Sequence, residues 1–69
     1  MRKNRIYNID LEVVRRRDLL GLNQKELAQK ASIPKMTLSD IENCITTNPS
    51  IDTMFKLSRA LGCSIEDLL

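Results

Sequence analysis

Residues 22–43 read LNQKELAQKASIPKMTLSDIEN, and the fold turns on how this stretch divides. Asn23 can cap a helix, and Glu26 can reach back to the cap's own N–H, a capping box with Asn in place of Ser or Thr. Leu27, Ala28 and Ala31 then fall on one face at helical spacing. Ser32-Ile33-Pro34 interrupts that helix, and proline is tolerated only at a helix start, so a second helix begins at about Pro34. Leu38 and Ile41 form its inward face, which leaves Lys35, Met36, Thr37, Ser39, Asp40 and Asn43 outside. A short helix with a polar, hydrogen-bonding outer face, held by the helix just before it, is the physical form of a helix-turn-helix.

Upstream, a first helix starts near Asn8 or Asp10, either of which can cap, and ends by Leu20 because Gly21 is the natural stop. Ile9, Val13 and Leu20 mark its buried stripe, with Leu11 or Val14 at the edge. Arg15, Arg16 and Arg17 lie in its C-terminal half, where positive charge suits the helix dipole. Downstream, Cys44 to Pro49 has no periodic pattern and reads as a loop. Ser50 caps a fourth helix whose inward stripe is Ile51, Met54, Leu57, Ala60 and Leu61, and Gly62 stops it. Ser64 with Asp67 makes another capping box for a last short helix from Ile65 to Leu69, with Ile65 and Leu68 facing in. There is no strand pattern and no internal repeat. The expectation is an all-α protein, a compact five-helix bundle, with residues 8–69 as one helix-turn-helix domain. Residues 1–7, MRKNRIY, make a flexible basic arm that reads either as a disordered end or as a phosphate-seeking segment.

The chain has 69 residues, enough for one domain and one small core. Two cysteines and no histidine argue against a zinc site, and no cofactor is expected. The absence of a signal peptide or an apolar run of membrane length predicts a soluble, cytoplasmic protein with reduced thiols, which argues against a Cys44–Cys63 disulfide. Tyr7 and Phe55 are the only aromatics, so there is no stacking platform for single-stranded nucleic acid. Without a histidine base, a Gly-rich phosphate loop or a marked carboxylate pair, an enzyme is not expected. The net charge of +2 is unevenly spread: residues 1–35 hold nine basic and four acidic residues, residues 36–69 two basic and five acidic. That asymmetry fits a face meant for a polyanion, or equally a solvated surface that is merely uneven.

From about Ile9 to Leu69 the chain resembles the phage Cro/repressor type of helix-turn-helix, the XRE family. Gly21-Leu22, Gln24, Glu26-Leu27-Ala28, Ile41-Glu42, Asn48-Pro49-Ser50, Leu61-Gly62 and Ser64-Ile65 all fall at the family's spacing, and Leu20 to Lys30 is most similar to the 434 type. The resemblance implies a lambda-repressor-like bundle with the third helix in the major groove of duplex DNA. It implies that Gln24 lies at the start of the second helix, on a phosphate or a base edge. Lys35, Met36, Thr37 and Asp40 match positions that face bases or nearby phosphates, and Asn43 matches a backbone contact. Lys25, Ser39 and the arm's Arg5 belong to the same DNA-binding set. Arg17 and Glu42 match a pair that bridges the first helix to the end of the third, and are expected to be structural; the opposite reading puts Arg17 on DNA. An exposed pair of this kind contributes about 0–1 kcal/mol, more when desolvated.

Three residues depart from the family pattern. Ser32 and Cys44 stand where glycine is usual; left-handed geometry at Ser32 would cost roughly 1–2 kcal/mol. Asp40 puts a carboxylate where the family often has a basic or amide group, so it either reads a cytosine amino group or repels the backbone. Met36 can meet a thymine methyl or pack on the helix surface. The leading expectation is a sequence-specific duplex-DNA-binding transcriptional regulator acting as a homodimer, with no membrane association. The alternative is a protein-interaction or antitoxin-type module on the same fold, favoured by Asp40 and the acidic second half.

Overall fold

A computed structural model describes residues 8–46 and 48–69; the basic arm of residues 1–7, with Arg5, lies outside the described residues. The chain runs through α1 (Ile9–Leu19), α2 (Gln24–Ala31), α3 (Lys35–Glu42), α4 (Ile51–Leu61) and α5 (Ile65–Leu68), with no strand among the described residues. This is the all-α, five-helix architecture expected from the sequence.

The starts of α2, α4 and α5 follow from local side-chain chemistry. Asn23 Oδ1 accepts the Glu26 N–H at 2.8 Å, and Glu26 Oε1 accepts the Asn23 N–H at 2.9 Å, which closes the capping box of α2. Ser50 Oγ accepts the Thr53 N–H at 3.2 Å to open α4. Ser64 and Asp67 make the reciprocal pair for α5, at 3.2 and 3.1 Å. α1 starts where expected but is capped differently. Asn8 holds the cap position without a side-chain capping bond, and Asp10 is buried in the first turn, where negative charge suits a helix N-terminus.

The stops share one device. Leu22 N–H bonds Arg17 O, Ile33 N–H bonds Ala28 O, Ile45 N–H bonds Asp40 O and Cys63 N–H bonds Ser58 O, at 2.8–3.1 Å. Each closes a six-residue loop over a left-handed residue. Those residues are Gly21 (φ 71°), Ser32 (φ 59°), Cys44 (φ 64°) and Gly62 (φ 71°). The two family departures therefore keep the glycine geometry with a side chain in place.

One core joins all five helices: Ile9 and Val13, Leu27, Ala28 and Ala31, Leu38 and Ile41, Met54, Leu57, Ala60 and Leu61, and Leu68. Leu22, Ile33, Cys63 and Ile65 pack at its edge. Burial pushes the Cys63 thiol up from its ordinary value, so the neutral thiol packs there. Cys44 and Cys63 form no disulfide. Two expected core positions are instead at the surface: Leu20 is 48% exposed and Ile51 71%. Leu20 lies past the last turn of α1, where the chain has begun to leave the helix, and Ile51 is the first residue of α4, before a second turn can cover it. Ser58 is buried in their stead, its hydroxyl donating to Phe55 O at 2.8 Å, which satisfies it locally. α1 and α2 both pack on α3, so the third helix is clamped from two sides along its Leu38–Ile41 face.

Candidate nucleic-acid interface

With Leu38 and Ile41 fully buried, the helical period turns the rest of α3 outward. Lys35, Met36 and Asn43 are exposed, and Thr37, Ser39 and Asp40 are half-buried. Lys35 and Met36, Ser39 and Asp40, then Asn43 recur at three- and four-residue intervals, so they share one face. Met36 is 71% exposed and does not serve as core packing. Asn43 Nδ2 donates to Ser39 Oγ at 3.1 Å, a turn apart on this face. Eight residues at ~1.5 Å rise make a rod about 12 Å long, and a helix about 10–12 Å across fits a major groove about 12 Å wide.

The adjoining end of α2 carries Gln24 and Lys25, half-buried and exposed respectively. Gln24 is the first residue of α2, so its surroundings include backbone N–H groups without helical partners. Its carboxamide is not loose: Nε2 donates to Glu42 Oε1 at 2.8 Å. This link was not legible in the sequence, since it joins residues 18 apart across two helices.

Glu42 is the hub of this corner. Its Oε2 accepts from Arg17 Nε at 2.8 Å and its Oε1 from Arg17 Nη2 at 2.9 Å, the two-pronged geometry that suits a guanidinium. Arg17 Nη1 also donates to Leu22 O at 3.0 Å. The Glu42 side chain is 3% exposed and that of Arg17 15%. The hydrogen bonds to Glu42 raise the Arg17 pKa further above its ordinary value despite its burial, so it stays charged. The pair ties the C-terminal half of α1 to the last residue of α3. Arg15 and Arg16 meanwhile both pair with Glu12, at 2.9 and 3.3 Å. Of the arginine run, Arg17 bridges two helices while Arg15 and Arg16 pair within α1.

Among the described residues no group of histidine, cysteine, aspartate or glutamate side chains could hold a metal ion, and no helix is long and apolar enough to cross a membrane. A clamped α3 with a polar outward face, joined to α2 by a tight left-handed turn, defines a helix-turn-helix domain. A family model described as Helix-turn-helix (HTH_3) matches residues 5–68, and the chain belongs to that family.

Among similar proteins, the HTH-type transcriptional regulator SinR of Bacillus subtilis (strain 168) is 45% identical over 49 residues, covering 71% of this chain and 44% of the relative. The chain thus spans less than half the length of that regulator. A crystal structure of SinR, described as the master regulator for biofilm formation, in complex with DNA superposes with a TM-score of 0.85 at 38% identity, covering 88% of this chain and 97% of that one. The P22 c2 repressor in complex with a synthetic operator superposes with a TM-score of 0.81 at 28% identity, covering 88% and 91%. The likeness to phage repressors read from the sequence is borne out.

Proposed function

We propose that this chain is the duplex-DNA-binding domain of a cytoplasmic transcriptional regulator, reading sequence with α3 in the major groove. The carrying observation is the outward face of α3, with Lys35, Met36, Thr37, Ser39, Asp40 and Asn43 set against the buried Leu38 and Ile41. Lys35, Met36 and Thr37 lie nearest the N-terminus of α3 and are the readers of base edges. Gln24, Lys25 and Asn43 position the domain on phosphates, as does Arg5 from the arm. Arg17 and Glu42 hold the helices at their angle. The DNA complexes of SinR and the P22 c2 repressor support this reading.

We assign the domain to a homodimer on DNA, with two recognition helices about 34–36 Å apart, one turn of duplex. A largely apolar groove of about 280 Å³, lined by Asn48 with Ile9, Pro49, Ile51, Met54, Ile65 and Leu69, supports an assembly surface at the start of α4 beside α5. The protein-interaction alternative rests on Asp40, whose carboxylate sits on the reading face, and on the acidic second half of the chain.

The test is a titration of the ¹⁵N-labelled chain with a mixed-sequence duplex at low salt. Amide shifts at residues 23–26 and 35–44 are expected on the DNA-facing side, joined by shifts near Arg5 and at the groove where two copies would meet. An unperturbed spectrum, or shifts gathered at α4 and α5 instead, would remove the reading.

A further inference from the structure

Three helices meet at one carboxylate. Glu42, the last residue of α3, takes three N–H bonds while 3% exposed: two from Arg17 of α1 and one from Gln24 of α2. Arg17 is fixed independently by its bond to Leu22 O, so the carboxylate has little freedom to follow Gln24. The Gln24 carboxamide has two N–H donors and one oxygen acceptor. One N–H is committed to Glu42 at 2.8 Å; the second, with the oxygen, remains for another partner. This half-buried side chain sits at the N-terminus of α2, where the backbone favours an anion.

We infer that Glu42, anchored by Arg17, is a positioning residue that sets the Gln24 carboxamide in advance, leaving its second N–H for a duplex phosphate. The inference rests on the DNA-binding reading above and gives it a mechanism. A glutamine side chain loses much rotamer freedom when fixed. Fixing it before the duplex arrives removes that cost from binding. Arg17 then governs duplex affinity without touching DNA, through Glu42 and Gln24 in turn. This joins the two opposed readings of Arg17: its place is structural and its effect reaches the DNA.

The experiment uses the double variant Arg17→Met/Glu42→Met. Removing one partner strands a desolvated charge, whereas replacing both with apolar side chains of similar size is often neutral for stability. The unfolding midpoint should stay near that of the wild type. Affinity for a short mixed-sequence duplex at low salt should fall up to about tenfold, the scale of immobilising one rotamer-rich side chain on binding. Gln24→Ala alone should produce the same loss. Added to the double variant, Gln24→Ala should cost less than about twofold, because contacts in one network are not additive.

A full Gln24→Ala loss in the double variant overturns the inference, as does wild-type affinity in the double variant itself. The free wild-type chain provides a check that needs no variant to fold. The hydrogen-bonded Gln24 Nε2 proton should exchange with solvent more slowly than those of the exposed Gln29, and equal exchange overturns the inference. A wild-type chain that retains no duplex at all sinks the DNA-binding reading and the inference together, whereas retention with Gln24 uncoupled from Glu42 sinks the inference alone.

Discussion

Ser32→Gly should stabilise the domain, and the structure sets the size of the effect. Ser32 sits at φ 59°, ψ 43° between α2 and α3. It is held there by its own N–H on Gln29 O at 3.2 Å and by the Ile33 N–H on Ala28 O at 3.0 Å. A side chain in that region costs roughly 1–2 kcal/mol, because Cβ crowds the following carbonyl. Glycine removes the crowding but gives the unfolded chain more freedom, which returns about 0.4–1 kcal/mol. The difference of the two ranges is about 0–1.6 kcal/mol, with a central net gain of about 0.8 kcal/mol. For a domain of this length the central value raises the melting temperature by roughly 3–6 °C. Ser32→Val should move the other way, since a β-branched side chain tolerates this geometry least. Thermal unfolding followed by circular dichroism, with urea titration as a second route, measures both variants. A glycine variant no more stable than wild type, beside a valine variant that melts unchanged, would refute the argument that the turn imposes a left-handed residue.

Other expectations follow from the same geometry. Leu38→Ala removes a fully buried side chain, at a cost of about 2–5 kcal/mol. Against a total of only ~5 kcal/mol for a small domain, about 0–3 kcal/mol would remain, and calorimetry should find a sharply lowered melting temperature. Asp67 is held below its ordinary value of 3.8 by the backbone N–H of Ser64. Its contribution to stability is thus fully present above that value and lost as pH falls below it; melts of wild type and Asp67→Ala should differ at neutral pH and converge in acid. Lys35→Ala should change which base is preferred at one position, whereas Lys25→Ala should weaken all sequences alike and flatten the salt dependence, both read by competition binding.

Where the sequence was legible, the cause was local. Asn23 with Glu26, Ser50, and Ser64 with Asp67 meet their partners within one turn, so spacing alone locates three helix starts. Gly21 and Gly62 mark helix ends because few residues share their backbone freedom. Leu20 and Ile51 were misread because periodicity assigns a face but not where the stripe stops, and both sit at helix termini. Asp10 and Ser58 were missed for the converse reason: polar residues on a buried face break the pattern. The outward face of α3 was legible as the complement of Leu38 and Ile41. The bond from Gln24 to Glu42 was not, because it depends on how α2 crosses α3, which no spacing along the chain encodes.

If α3 reads duplex sequence, selection of the wild-type chain against a random duplex library at low salt should enrich a short motif, repeated with inverted symmetry at about one helical turn of spacing. Lys35→Ala should lose the preference at one position of that motif. A pool that remains random after repeated rounds would contradict that reading.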